Sequence, residues 1–407
     1  MKRVFVLLIL SVLIYCTHEK PLPSGYEMLD RQNKGEVIVK DYPAVASAYY
    51  WSAPKAGSRG TLMLGAYEQF KSRIALRFIN IGNVVDTASV QEAVLNLSYF
   101  HHTGPSDSFT VNIYPITSAW LDDYTSEAEW DNAVWTDLEN KYDTGSLIGS
   151  FTAFAADSDT VMSIPLDPAA INQWITDGSN NGIMLDFDDA NVMCHYYSTE
   201  AAGNWPNLGV IYETTAGDGT LDTVTVYGYN DASLISQDIT IPENELQHDP
   251  DMLYVGNASG MKSILQFHVN DIPDNATIHH AMLTMYVKTD MTDSTSAVRI
   301  GMVPIVGDST WSPTEMVYDS VYTKPAGYAT PDINPFEMDT PSAVTALSHY
   351  IQLWAWDILP NYGVVMRSFE EGYDLSEVEF YSGKNDSTQT PVLRVTYSLP
   401  PDSRFSE

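Results

Sequence analysis

The chain repeats itself, and that repeat limits its fold more than any other feature. Leu62-Met-Leu-Gly65 leads to Arg73-Ile-Ala-Leu-Arg-Phe78, as Leu253-Tyr-Val-Gly256 leads to Ser263-Ile-Leu-Gln-Phe267. Val90 to Leu97 corresponds to Ile278 to Met285, and Val111 to Ile116 corresponds to Val298 to Ile305. Gly65 and Gly256 are 191 residues apart, as are Trp120 and Trp311, while Phe78 and Phe267 are 189 apart, as are Pro115 and Pro304. The later parts keep the same order: Ile171 to Trp174 with Ile351 to Trp354, Asn181-Gly182 with Tyr362-Gly363, Tyr197-Ser198 with Tyr381-Ser382, and Pro206 to Tyr212 with Pro391 to Tyr397. Chance does not hold this many landmarks in register, so two copies of one plan are expected. The small polar run Thr214 to Thr220 reads as the break between them. The expected organisation is a first domain over 36–214, a linker over 215–220, a second domain over 221–399 and a tail over 400–407.

Most landmarks alternate apolar and polar residues over four to eight positions, set off by turn residues. That is the period of half-buried antiparallel strands. Many short strands in each copy predict an all-β protein of two tandem jelly-roll β-sandwiches. One stretch per copy breaks the pattern. Pro168 to Trp174 follows Asp167, a good N-cap, and stops before Asp177-Gly178; Ser342 to Trp354 is its counterpart. Each predicts one short helix anchored by a tryptophan.

The N-terminus carries an export pattern: Met1-Lys-Arg3, then an apolar run from Val4 to Ile14 broken by Ser11. The run is too short to span a bilayer, which takes about 20 residues. Leu13-Ile-Tyr-Cys16 resembles the lipobox of bacterial lipoproteins, with Tyr15 where a small residue is usual. The expectation is an export signal over 1–16, lipid attachment at Cys16, and a tether over 17–35 that holds the protein at the cell envelope or outer surface. Ordinary signal cleavage that discards Cys16, or a retained anchor, is the alternative. Cys194 is the other cysteine. It lies in an apolar strand-like run and reads as a buried inert thiol.

Charge excludes whole classes of partner. The chain has 20 Lys and Arg against 53 Asp and Glu, a net charge of −33. Such a surface repels phosphate backbones, so no nucleic acid partner is expected. Cations and neutral sugars remain compatible. The sequence shows no nucleophile elbow, no zinc-binding His-Glu-x-x-His and no phosphate loop.

The ordered landmarks resemble DNRLRE-type domains, also called disaggregatase-related domains, some of which are classed as carbohydrate-binding modules. The resemblance rests on Leu62 to Gly65, Arg73 to Phe78, Ser89 to Leu97, Trp120, Ile171 to Trp174, Asn181-Gly182, Tyr197 to Glu200 and Pro206 to Tyr212. Their second-copy matches are Leu253 to Gly256, Ile264 to Phe267, Thr277 to Met285, Trp311, Asn361 to Gly363, Tyr381-Ser382 and Pro391 to Tyr397. The second copy has Ser263 and Gln266 where the family has arginine, and it has no counterpart of Glu200. The resemblance implies a jelly-roll fold and a non-catalytic role, either binding cell-surface or matrix polysaccharide or serving as a structural module.

Sugar binding needs exposed aromatic faces. Tyr50, Tyr196 and Trp205 have no aromatic counterpart in the second copy, and Trp51 has no partner tryptophan there. These four are the glycan-binding candidates. Asp186 and Asp188 alternate with inward-facing Ile183, Leu185 and Phe187 and form a candidate Ca²⁺ site; a solvated acidic face is the plainer reading. Asp249 and Asp251 form a second such pair. The expected function is an exported, lipid-anchored surface protein with non-catalytic glycan-binding or adhesive modules. The alternatives are a structural module of a surface layer or filament, and a polysaccharide lyase or hydrolase.

Overall fold

A computed structural model of the chain describes residues 36–52, 60–78, 81, 88–118, 138, 140–155, 159–215, 217, 219–237, 248–288, 298–307, 311, 326–329, 334–338, 347–369 and 374–400. Cys16, the export signal, the tether and Trp120 lie outside the described residues. Strand β1 (Val37–Trp51) opens the chain, followed by β2 (Thr61–Tyr67), β3 (Phe70–Arg77), β4 (Ser89–Thr103), β5 (Ser108–Pro115), β6 (Gly149–Phe154) and β7 (Thr160–Leu166). Helix α1 (Pro168–Asp177) precedes β8 (Ile183–Phe187), β9 (Met193–Tyr197), β10 (Asn207–Glu213), β11 (Leu221–Tyr227) and β12 (Asn230–Gln237). The rest comprises β13 (Met252–Gly256), β14 (Met261–Phe267), β15 (Thr277–Met285), β16 (Val298–Pro304), β17 (Ala326–Ala329), β18 (Phe336–Met338), α2 (Leu347–Ala355), β19 (Val364–Ser368), β20 (Glu377–Tyr381) and β21 (Val392–Ser398). The protein is all-β, with curled antiparallel sheets and two short helices among the described residues.

The expected periodicity holds where one face is buried. In β4, Val90, Ala93, Leu95, Leu97 and Tyr99 point into the first core, while Val94, Asn96 and Ser98 lie on the other face. Burying a Leu or Phe side chain contributes about 1.5–3 kcal/mol, so a row like this fixes the register. Helix α1 begins as the sequence predicts. Asp167 accepts a hydrogen bond from Ala169 N at 2.9 Å, Pro168 occupies the first turn, and Gly178 at φ 70° ends it. Ile171, Trp174 and Ile175 face the core. The repeated glycine turn has one physical cause in both copies. Gly182 and Gly363 sit at φ 102° and 104°, and a Cβ there would meet Leu76 O at 2.3 Å and Leu265 O at 2.8 Å. Only glycine fits so close to a neighbouring strand.

The strand ladders cross the boundary expected from the repeat. β10 turns into β11 through a loop closed by Thr214 N–H to Thr220 O at 3.2 Å, and β11 pairs with β10 from Asn207↔Tyr227 to Glu213↔Leu221. β12 then runs antiparallel along β3 from Asn230↔Arg77 to Gln237↔Phe70. Residues 221–237 therefore complete the first unit, and 215–220 is a hairpin loop rather than an interdomain linker. The second unit is completed by the other end of the chain. Val37 to Pro43 of β1 pair with β21, and Ala44 to Trp51 pair with β14, with a register shift between Ala44 and Ala46. Each repeat thus lends its first strand to the other: β1 closes the unit built by 252–398, and β11 and β12 close the unit built by 61–213.

In the first unit β11–β10–β4 runs on to β7, and β12 lies beside β3, which continues through β8 and β5 to β6; β9 and β2 join the two. In the second, the order is β17–β16–β19–β14–β1–β21–β15–β18, with β13 and β20 as a separate pair. Each unit has its own large core. A smaller apolar cluster bridges them: Met63, Phe70, Met193 and Ile235 from the first unit with Ala258 and Leu375 from the second. Beside it, Gln69 Nε2 lies 3.1 Å from His248 Nδ1, and His248 Nε2 lies 2.6 Å from Glu377 Oε1. Burial opposes a charge on His248, but the bonded Glu377 carboxylate, with Glu379 and Glu68 nearby, raises its pKa overall.

Candidate functional site

Two of the four aromatic candidates are buried and a third is half-buried. Tyr196 is fully buried. β9 pairs with β2 along one edge and β4 along the other, and side chains cover both its faces. The Tyr196 ring meets Tyr99 edge to face at 6.0 Å, its hydroxyl donates to Met162 Sδ at 3.8 Å, and burial raises its pKa well above that of free tyrosine. Tyr50 is 8% exposed and packs with Ile264, Val303, Ile305 and Val365. Trp51 is half-buried, and its ring packs against the apolar cluster between the units and against the Met252, Tyr254 and Met261 cluster. Tyr196 and Tyr50 thus belong to separate apolar clusters rather than facing solvent. Cys194 is fully buried, and burial pushes its thiol up to about 12, in keeping with an inert core residue.

Trp205 is the exception, at 43% exposed. It ends the loop from Ser198 into β10, and its indole N–H donates to Ala201 O, which sets the ring's orientation. The ring stands against Tyr227 of β11, centroids 6.0 Å apart and planes at 89°. Tyr227 is 55% exposed and Tyr229, two residues on, is 54% exposed. Strand alternation puts Tyr227 on the outer face of the hairpin, Tyr229 lies in the short connection to β12, and sequence comparison of the copies missed them because β11 was assigned to the other domain. A polar row runs across the sheet from this corner. Tyr227, Asn207, Asn96 and Ser163 occupy paired positions on β11, β10, β4 and β7. Asn96 Nδ2 donates to Asn207 Oδ1 at 2.9 Å, and Ser163 Oγ donates to Asn96 Oδ1 at 2.7 Å. Asn207 Nδ2 donates to Trp205 O at 3.2 Å, tying the row to the aromatic corner. Tyrosine and tryptophan this exposed offer broad apolar faces with polar edges, and amides and a hydroxyl lie next to them.

Behind the corner a buried acid, Asp231, meets an exposed one, Glu200. Asp231 of β12 is fully buried and accepts from Thr199 N at 2.7 Å. Glu200 accepts from Ser198 Oγ at 3.1 Å and Thr199 Oγ1 at 3.0 Å, and it is hydrogen-bonded to Asp231. Burial raises both pKa values, and the Glu200 charge raises that of Asp231 further. Asp231 is the buried member and Glu200 the exposed one, so the neutral form is favoured most at Asp231. The pair anchors the Ser198 to Trp205 loop to β12, the strand that follows Tyr227 and Tyr229. This gives Glu200, which the second copy lacks, a structural partner that the sequence could not name.

The cation candidates are already engaged. Asp186 Oδ1 accepts from Arg73 Nε at 2.6 Å and Asp186 Oδ2 from the Tyr142 hydroxyl at 2.7 Å. Its face of β8 is covered rather than solvated, since Met184 is 1% exposed and packs with Ile116, Leu138, Ala232 and Leu234. Asp188 is exposed beyond the strand end. Asp249 Oδ1 accepts from Asp251 N at 2.8 Å, closing a local turn, and Asp251 lies 3.5 Å from Lys384 Nζ. Among the described residues, no three His, Cys, Asp or Glu side chains are placed to hold a metal ion.

A groove of about 560 Å³ runs between α1 and the 143–148 loop, lined by Asp143, Ser146, Leu147, Asp167, Gln173 and Asn181 among others. Its one aromatic, Trp174, is 6% exposed and belongs to the core, so it presents no stacking surface. Among the described residues, no helix is long and apolar enough to cross a membrane. The chain matches no known protein family and no curated protein.

Proposed function

We propose that the chain is a non-catalytic glycan-binding surface protein, exported and held at the envelope through Cys16, with its sugar face on the first unit around Trp205. The observation that carries this reading is the edge-to-face pair of Trp205 and Tyr227, both about half exposed, at the end of a hydrogen-bonded amide row. Aromatic faces pack on the C–H faces of sugar rings, and the Asn207 and Asn96 amides with Ser163 offer donors and acceptors to hydroxyls. A net charge of −33 selects against polyanions, so the polymer is uncharged or cationic. The resemblance to DNRLRE-type domains supports the same reading, as does the export pattern at Met1 to Cys16.

Calorimetric titration of the purified protein with soluble neutral polysaccharides tests it. Trp205→Ala and Tyr227→Ala are each expected to weaken binding at least tenfold, the size of a binding hot spot, while the melting temperature stays nearly constant. Undiminished binding in the double variant would move the site elsewhere.

A further inference from the structure

We propose that the slot filled by β1 also accepts β1 of a second copy, so that copies of the chain link head to tail by exchanging this strand. The two units are closed in different ways. The first receives β11 and β12 directly from the β10 hairpin, so its closure is local. That hairpin commits the second repeat's own first strands to the first unit. The second unit is left with a gap between β14 and β21, and a strand from the far end of the sequence fills it: Val37 pairs with Ser398 and Trp51 with Met261.

β1 makes its ladders wholly with the second unit, yet residues 52–60 join it covalently to β2 of the first. Exchange between copies preserves those ladders and changes only the connection, the condition under which strand swapping costs little. Ten bonds from Trp51 to Thr61 reach at most roughly 35 Å, and this short tether gives closure within one chain an effective concentration on the order of millimolar. Exchange between chains therefore competes where copies are crowded or refold together. β1 is also made first and its partner strands last, so both its edges await partners while the intervening chain is synthesised.

The strand carries its own register marks. Arg394 holds Asp41 through two hydrogen bonds, at 2.7 and 2.8 Å, and Lys40 pairs with Asp271. Tyr42 and Tyr50 are its buried anchors. An extended segment added to a sheet with charge pairs and alternate side-chain anchors is a known mode of chain recognition. The slot and the strand occur once in each copy, on different units, so successive exchanges generate an open chain of molecules or a closed ring rather than a face-to-face pair. The net charge of −33 on each copy opposes the encounter, and salt relieves that repulsion.

The test refolds the full chain, with Cys16→Ser to keep that thiol out of the disulfide readout, over a range of protein concentrations and reads its mass by light scattering. Val39 and Thr396 are cross-strand partners, so Val39→Cys in one preparation and Thr396→Cys in another report the exchange when mixed in denaturant, refolded and oxidised. Multiples of the chain mass are expected, with a disulfide joining the two preparations. The dimer-to-monomer ratio should rise roughly tenfold for each tenfold rise in concentration, as mass action requires, and should rise further with salt. Monomer mass at every concentration overturns the proposal. So do multiples that form without the mixed disulfide while the variant carrying both cysteines in one chain closes its own, because assembly then uses another surface.

Discussion

The two units share their landmarks but differ in how they are closed. In the first, Asp231 to Ile235 of β12 are buried at every position, and the strand is tethered by a short hairpin loop. In the second, β1 occupies the corresponding slot with Tyr42 and Tyr50 as its buried anchors and ion pairs at Lys40 and Asp41. The difference shows which part of a repeat is interchangeable. The landmarks that define the two copies lie in strands that stay at home, whereas the strands that change places carry little of the shared sequence. The slot between β14 and β21 is filled through backbone pairing along both edges and a few side-chain anchors.

Removing β1 tests this comparison most severely. A chain lacking residues 36–51 leaves β14 and β21 unpaired along facing edges and uncovers the second core. The second unit is expected to lose its cooperative melting transition, while the first, complete without β1, keeps its own. Calorimetry that still resolves two transitions would mean β1 is an accessory to the second unit rather than its central strand.

The next largest effect separates core from surface aromatics within the first unit. Tyr196→Ala empties a fully buried site and is expected to cost about 3–5 kcal/mol in chemical denaturation. Trp205→Ala, at a site 43% exposed, should leave stability within about 1 kcal/mol of the parent. Equal losses would place Trp205 in the core and remove the basis for a sugar face.

The sequence made the strands and helices legible because their periodicity reports burial, as in β4 and α1. It misplaced the boundary because a hairpin loop and a linker share one composition: Thr214 to Thr220 is small and polar, which suits both. It misread Tyr196 because alternation assumes one wet face, and β9 has none. It read Asp186 as solvent-facing for the same reason, without knowing that Tyr142 and Leu138 cover that side of β8. Trp205 was legible because the second copy has no aromatic counterpart of it, but Tyr227 became its partner because β11 joins the first unit. No local pattern encodes that pairing, which depends on which unit β11 joins.

A smaller effect concerns the acid pair on the β12 side of the comparison, which β1 lacks. Burial raises the pKa of Asp231 well above the usual aspartate range, the Glu200 charge raises it further, and partial burial raises that of Glu200 too. The folded state then holds a proton that the unfolded chain has released. The stabilising contribution is full below the unfolded values and is lost as pH rises from about 4 through the raised ones. Asp231→Asn keeps the acceptor for Thr199 N and offers Glu200 a permanent donor. The variant is expected to gain stability relative to the parent as pH rises, with its advantage smallest near pH 4. A difference between the two proteins that does not change with pH would show that the pair holds no proton.

The smallest effect concerns the register marks on β1. Asp41 and Arg394 are about half exposed, so water and salt screen much of their attraction. Hydrogen bonding to the Arg394 side chain still lowers the Asp41 pKa, burial opposing it only weakly, so the pair adds stability above the usual aspartate range and loses it as pH falls through the lowered value. Arg394→Ala is expected to lower the melting transition of the second unit slightly at low salt, to leave the first unit's transition unchanged, and to lose its effect in high salt or in acid. Its more useful consequence is on register. With Lys40 to Asp271 as the remaining ion pair at that end of the strand, β1 can slide by two residues without reversing its buried face. Hydrogen exchange of the β1 and β21 amides should therefore quicken in the variant more than its melting point alone requires. Exchange that changes only in proportion to stability would show that Tyr42 and Tyr50 fix the register without help from the charges.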